Sequence, residues 1–270
     1  MTAVACVVMT ETPTQESVNT GYGVDIGGSG IKGALVDLDT GEFIGDRIRV
    51  DTPRPATPEA VADTVAALLD DAGWTGPVGL TVPAVVRNQV AVTAANIDPA
   101  WIGTDCQELF GERLAVDGHR RSVSVLNDAD AAGMAEAAYG DASTNQGTVL
   151  FLTFGTGIGS ALLYSGSLFP NTELGHLNFP AMDAEKWASS AVRDREDLSY
   201  KEWAKRVDRL LHEYVRILNP ARIIVGGGIS KKHHKWLPEL TVDAEVVPAA
   251  LLNRAGIVGA ALAVRDKMRP

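Results

Sequence analysis

Cysteine is almost missing from this chain: Cys6 and Cys106 are the only two, and they lie far apart. They can build neither a disulfide framework nor a multi-cysteine metal site. Long apolar runs are missing too. Although 46% of residues are hydrophobic, no stretch approaches the roughly 18 consecutive apolar residues that span a bilayer. The first 20 residues contain no Lys or Arg, so the positive start of a secretory signal is lacking. Their Thr, Glu, Pro and Ser content after Met9 predicts a disordered tail over 1–20. Positive charge is short overall, with 24 Lys and Arg against 34 Asp and Glu and a net charge of −10. That balance argues against general nucleic-acid binding. Together these shortages predict a cytoplasmic protein that engages neither nucleic acid nor membrane.

What the chain does contain is one short phrase written twice. Gly28-Ser29-Gly30-Ile31-Lys32-Gly33-Ala34-Leu35-Val36 reads against Gly155-Thr156-Gly157-Ile158-Gly159-Ser160-Ala161-Leu162-Leu163, 127 positions later. A period near half of 270 residues is too long for a solenoid repeat of about 20–50 residues. It predicts one lobe built twice, with two glycine hairpins facing a cleft.

Gly28-x-Gly30-x-x-Gly33 satisfies the dinucleotide-binding pattern, but that signature needs a helix directly after the first glycines. Here Ile31 to Leu38 returns as a strand into the turn Asp39-Thr40-Gly41, and Glu42 to Val50 makes a third strand. In a hairpin, glycines instead let backbone N–H groups approach an anion, and Ser29 and Thr156 add hydroxyl donors.

Further along, a helix is predicted from about Glu59 to Ala72, starting at Thr57 or Pro58, and buried strands over Val78–Val82 and Ser122–Leu126. Ala129 to Tyr139 reads as a helix closed by Gly140. The pattern then restarts with strands over Thr148–Phe154 and Ile158–Tyr164. A long amphipathic helix over 201–218 buries Trp203, Val207, Leu210, Leu211, Tyr214 and Leu218. Arg222 to Val225 is a strand running into Gly226-Gly227-Gly228, and Ala255 to Arg265 is a terminal helix. Meanders opening each half of a mixed chain predict an α/β protein of two related lobes.

Asn127-Asp128 falls where a strand ends and a helix begins, so either residue could be an N-cap, and Asp130 could do the same. The pair could equally supply a carboxylate to a reacting hydroxyl. Residues 201–235 hold nine Lys or Arg against three acids, leaving −16 on the rest. This is either a solvated helix face with a basic turn or a polyanion-binding surface.

Asp25, the doubled glycine turn and the triple glycine together resemble the actin-like ATPase and sugar-kinase superfamily. Within it the chain resembles the repressor/open-reading-frame/kinase (ROK) group, from Gly21 to Val264. The resemblance implies a two-lobed actin-like ATPase (ribonuclease H-like) fold with duplicated βββαβαβα-type domains. It divides the chain into a small lobe of 21–126 plus 254–266 and a large lobe of 127–253.

Asp25-Ile26-Gly27-Gly28-Ser29-Gly30 matches the first phosphate motif, with Asp25 holding Mg²⁺ through water. Asn127-Asp128 matches the catalytic pair, Asp128 as general base and Asn127 on sugar hydroxyls. Glu173-Leu174-Gly175-His176 matches the sugar-binding E-x-G-H motif, and Glu185-Lys186-Trp187-Ala188-Ser189 fits the place of one more sugar-binding Glu. Asn96 and Trp101 resemble the N-L-x-x-W loop, with Asn96 a sugar candidate and Trp101 read as core. Gly155, Thr156, Gly157, Gly227 and Gly228 complete the expected donor site. Pro83-Ala84 stands where relatives often have Pro-Gly.

Many relatives bind zinc with this His and three cysteines in a C-x-C-G-x-x-G-C stretch. Asn178 to Glu185 contains no cysteine, so no zinc is expected. The stretches 127–133, 153–159 and 170–176 are most similar to the polyphosphate glucokinases of that group. They imply glucose, or mannose, as acceptor and polyphosphate or ATP as donor. Lys32, opposite Gly159 in the repeat, and Lys231 and Lys232 after the triple glycine are the cations expected on the phosphate chain, with Lys32 marking the lobe that holds it. The resemblance also implies a homodimer. Some members are sugar-sensing repressors with an added helix-turn-helix domain, for which about 20 polar residues before the first strand are too few.

Overall fold

The computed structural model describes residues 19–94 and 97–270. Almost all of the tail expected over 1–20, and Asn96, lie outside the described residues. The first glycine phrase forms a hairpin: β1 (Thr20–Gly27) and β2 (Gly30–Asp37) pair antiparallel, Gly27 opposite Gly30. β3 (Phe43–Val50) completes the meander. Then comes α1 (Pro58–Asp71), with the Thr57 side chain accepting a hydrogen bond from the Ala60 amide. β4 (Val78–Val82) adds parallel to β1. A small hairpin of β5 (Val86–Arg87) and β6 (Val90–Ala91), then α2 (Cys106–Arg113), lead to β7 (Val123–Asn127) and α3 (Asp128–Tyr139).

The second half repeats the plan with β8 (Thr148–Phe154), β9 (Ile158–Tyr164) and β10 (Ser167–Phe169). Short helices α4 (Ala184–Ala188) and α5 (Ser190–Arg195) precede α6 (Tyr200–Leu218), β11 (Arg222–Gly226), β12 (Glu245–Pro248) and α7 (Ala255–Arg265).

The two sheets run in the orders β3-β2-β1-β4-β7 and β10-β9-β8-β11-β12. In both, an antiparallel meander is extended by two parallel strands. One supersecondary unit has been made twice. Its closing helices cross over: α7, which ends the second unit, packs on β1, β4 and β7, while α3, which ends the first, packs on β8, β9 and β10. The layers therefore run α1 and α2, first sheet, α7 with α3, second sheet, then α4 and α6.

Small residues make the crossing possible. A Cβ on Gly79 of β4 would overlap the carbonyl oxygen of Ala260 in α7, so the helix backbone lies directly on the strand. α6 has a capping box between Ser199 and Glu202, an arrangement worth about 1 kcal/mol. Burying Trp203, Val207, Leu210, Leu211 and Tyr214 contributes roughly 1.5–3 kcal/mol for each large apolar side chain, so packing, not capping, fixes where α6 lies. Trp101 is fully buried, its indole N–H donating to the Ala56 carbonyl, and is core. Among the described residues no helix is long and apolar enough to cross a membrane.

Candidate active site

Both glycine turns open onto one cleft of about 890 Å³, within the roughly 300–1,000 Å³ usual for small-molecule sites. The cleft is lined by Gly27, Gly28 and Ser29 of the first turn and by Gly155, Thr156 and Gly157 of the second. Asn127, Asp128, Glu173, His176, Glu185 and Gly227 complete this set of sequence-derived residues, and Pro83 and Ala84 line it as well. Asp25, Gly30, Lys32, Gly228, Lys231 and Lys232 are outside that lining.

β7 delivers Asn127 and Asp128 to the cleft, and the two residues divide the work. Asn127 is the N-cap of α3: its side-chain oxygen accepts from the amides of Ala129 (2.8 Å) and Asp130 (3.2 Å). Its Nδ2 donates to the Ala84 carbonyl at 3.2 Å, leaving one N–H free in this network. Asp128 opens into the cleft, its Oδ1 also accepting the Ala129 amide at 2.9 Å. Surrounded by protein although solvent reaches it, its carboxyl is pushed up to about 6 by burial, then by the negative charge of Asp25, with the Ala129 amide opposing and Glu173 adding. A carboxylate raised in this way binds a proton more readily than an ordinary surface Asp, which suits a base near neutral pH.

Asp130 does not cap. It is fully buried, and its Oδ2 accepts the Asn171 amide at 2.7 Å. Asn171 in turn exchanges two hydrogen bonds with the Val86 backbone, at 2.9 and 2.7 Å. The carboxyl of Asp130 is pushed up to about 7, chiefly by burial. Its Oδ1 is buried without a partner, as suits a carboxyl held neutral. This network ties the helix of Asp128 to the segment of Glu173. Sequence reading missed it because Asp130 looked like a second capping candidate.

Glu173 is fixed from both sides. Ser160 Oγ donates to the Thr172 carbonyl at 2.6 Å and receives the Leu174 amide at 3.0 Å. The Tyr214 hydroxyl donates to the Leu174 carbonyl at 2.8 Å, so α6 anchors the same turn. Gly175 lies so close on Ile158 that a Cβ would overlap its carbonyl oxygen. Burial raises the Glu173 carboxyl, with His176 opposing and the charge of Glu185 adding.

His176 stands among three carboxylates: Nε2 is 3.6 Å from Glu173, and Nδ1 is 3.6 Å from Asp183 and 4.0 Å from Glu185. His176, Asp183 and Glu185 are close enough to share a cation, although Asp183 already pairs with Lys186 at 2.9 Å. Asp183, the residue before α4, carried no sequence signal. Glu185 reaches back to the second glycine turn, its Oε2 3.4 Å from the Ile158 amide and against Gly157.

On the first sheet, Asp25 Oδ2 accepts from Lys32 at 3.1 Å and Oδ1 from Thr81 at 3.1 Å. Arg49 on β3, opposite Lys32 in register, donates to the Ser29 carbonyl at 3.1 Å and so braces the first turn. The sequence reading did not single out Arg49, because nothing in its spacing pointed to the turn. Lys231 and Lys232 are exposed on the short 3-10 helix Gly228–Lys235. Cys106 is buried and its thiol is pushed up to about 12, which removes it as a nucleophile.

Residues 21–190 match the ROK family. Over 253 residues, 94% of each chain, this protein is 52% identical to the polyphosphate glucokinase of Mycobacterium tuberculosis. The crystal structure of the inorganic polyphosphate/ATP-glucomannokinase from Arthrobacter sp. strain KM matches with a TM-score of 0.87 at 45% identity, covering 92% of this chain and 99% of that one. A ROK family glucokinase from Streptomyces griseus, solved with glucose and AMPPNP, shares the fold with a TM-score of 0.73 at 24% identity over 92% of this chain and 99% of its own. The duplicated sheets and crossed helices are the actin-like ATPase fold of these sugar kinases, and this chain belongs to the ROK family.

Proposed function

We propose that this protein phosphorylates glucose at the 6-hydroxyl, with inorganic polyphosphate as donor and ATP as an alternative donor. The observation that carries the reading is the convergence on one cleft of Asp128, Glu173 and both glycine turns. The reading is supported by relatives that bear the names of polyphosphate glucokinases and cover nearly the whole chain.

In this reading glucose lies between Asp128 and the carboxylates of Glu173 and Glu185, with His176 and the free N–H of Asn127 on further hydroxyls. Paired carboxylates discriminate strongly, because a sugar lacking a hydroxyl leaves a charge unpaired. The alcohol is a weak acid, so Asp128 chiefly orients it and accepts its proton late in the transfer. The backbone amides of the two glycine turns, with the Ser29 and Thr156 hydroxyls, hold the transferred phosphate. Closure of the lobes, 21–126 with 254–266 against 127–253, would exclude water as a competing acceptor.

Asp25 is the residue that would hold Mg²⁺. Each of its oxygens already accepts one hydrogen bond, from Thr81 and from Lys32, and keeps lone pairs for ordered water. That donor set suits a cation held through its water shell. When bound, Mg²⁺ neutralises charge on the donor phosphates. Acceptance of mannose belongs to the same proposal, favoured by the glucomannokinase name of the Arthrobacter neighbour. A cytoplasmic homodimer without bound zinc also belongs to it.

The test is an initial-rate assay of glucose 6-phosphate formation, with polyphosphate and ATP compared at matched phosphate. Polyphosphate is expected to support the higher kcat/KM. Equal or exclusive use of ATP would overturn the donor assignment, and no product with either donor would overturn the kinase.

A further inference from the structure

We propose that Arg193, Tyr200 and Lys235, with Lys231 and Lys232, form an outer subsite for a linear polyanion. It would hold the phosphate units of the donor beyond the one transferred. The inference rests on the polyphosphate reading above, and adds where the chain runs.

Two segments leave the donor edge of the cleft and meet again outside it. The Gly155 carbonyl, at the second glycine turn, receives the Ser190 hydroxyl at 2.9 Å and the Ala191 amide at 3.1 Å, so α5 and its Arg193 start at the rim. Gly227 also lines the cleft, and its carbonyl receives the Ser230 hydroxyl at 2.8 Å, so the lysine-rich helix starts at the same rim. Both segments return to Tyr200, the first residue of α6. Arg193 Cζ lies 4.0 Å from the Tyr200 ring centroid and Lys235 Nζ lies 5.2 Å from it. Behind them Phe154, Trp203 and Trp236 pack edge to face, with ring centroids 5.6, 6.1 and 5.0 Å apart. This wall fixes both segments relative to the second glycine turn.

Charge pairing decides which cations are available. Of the nine Lys and Arg in 201–235, Lys201, Arg206, Arg216 and Arg222 are ion-paired. Lys231, Lys232 and Lys235 have no carboxylate within ion-pair range among the described residues. On the first sheet, by contrast, Lys32 is paired with Asp25 and Arg49 with Asp51. Arg47 on β3 is the one first-sheet cation without an ion pair among the described residues, so the larger group of free cations, Lys231, Lys232 and Lys235, is on the Tyr200 side, and the path of the chain is placed there. Arg193 pairs with Asp194 at 2.5 Å, yet its Nε is buried without a partner. A ring with cations at 4.0 and 5.2 Å gives a purine little bare apolar face, whereas phosphate oxygens can meet the cations from outside. The arrangement favours a plain phosphate chain over a nucleotide.

The test compares Lys235→Ala, Arg193→Ala and the double variant Lys231→Ala/Lys232→Ala with the parent protein. Donors are tripolyphosphate, long-chain polyphosphate and ATP, each at low and high salt. Long-chain KM is expected to rise several-fold in each variant, with a shallower salt dependence. The shift for tripolyphosphate and ATP is expected to be much smaller. Lys235 is exposed, so its variant keeps the test open if Arg193→Ala fails to fold. Equal shifts for all donors, or none, would overturn the subsite while leaving the kinase reading intact. A parent protein that ignores polyphosphate would overturn the subsite together with the polyphosphate donor assignment it rests on.

Discussion

Lys32 and Asp25 face each other on neighbouring strands, with the ammonium 3.1 Å from the carboxylate. The pair is partly exposed, and such a pair contributes about 0–1 kcal/mol to stability. In a chain of this size that is worth only about 2–4 °C in Tm. Lys32→Met is therefore expected to melt close to the parent protein. Its kcat/KM for the donor is expected to fall at least tenfold, because Asp25 loses its cation and the donor site loses a positive charge beside the first turn. A large drop in Tm with normal kinetics would make the pair structural instead.

The raised Asp128 carboxyl sets the acid limb of the pH profile. A general base must be deprotonated, so kcat/KM for glucose should fall as pH drops through about 6. An ordinary exposed Asp would titrate about two units lower. Initial rates across pH check this, and a flat profile down to pH 4.5 would contradict it.

Asp130 makes a separate prediction about stability. Its folded-state value of about 7 lies above the ordinary 3.8, so the folded protein holds a proton that the unfolded chain releases. The stabilisation is complete below 3.8 and is lost as pH rises through about 7. Melting curves should show the parent protein losing Tm over this window relative to Asp130→Asn, which cannot titrate. Parallel curves would mean that Asp130 is ionised when folded.

Gly157 tests the placing of Glu185. A Cβ on Gly157 would strike Glu185 Oε2, the free end of a side chain that can swing away. Gly157→Ala is expected to raise the KM for glucose several-fold with little loss of Tm. Unchanged glucose KM would take Glu185 out of the sugar site.

Much of this was legible in the sequence because it is local. The glycine phrase and its flanking strands fixed both hairpins, and a period of 127 positions became two sheets of identical order. The helix over 201–218 was visible in its apolar face and appeared as Tyr200–Leu218. What stayed hidden depends on contacts distant in sequence. The seating of α7 on the first sheet and against α3 rests on backbone approach at Gly79 to Ala260 and at Gly259 to Ala131, which no periodicity encodes. Asp130 and Asn171 lie 41 residues apart, and only the fold shows that one carboxyl links the helix of Asp128 to the segment of Glu173. Short pieces such as α4, α5 and β12 are too brief for a pattern to emerge. The basic stretch misled in part, since pairing partners such as Glu196, Glu239 and Glu245 lie outside it.

The central claim is that Asp128 takes the proton of the glucose 6-hydroxyl, and Asp128→Asn with polyphosphate as donor tests it most directly. Glucose binding, followed by calorimetry, should stay near the parent value, while kcat for glucose 6-phosphate falls by roughly 10²–10⁴-fold. Near-normal kcat in that variant would contradict the account.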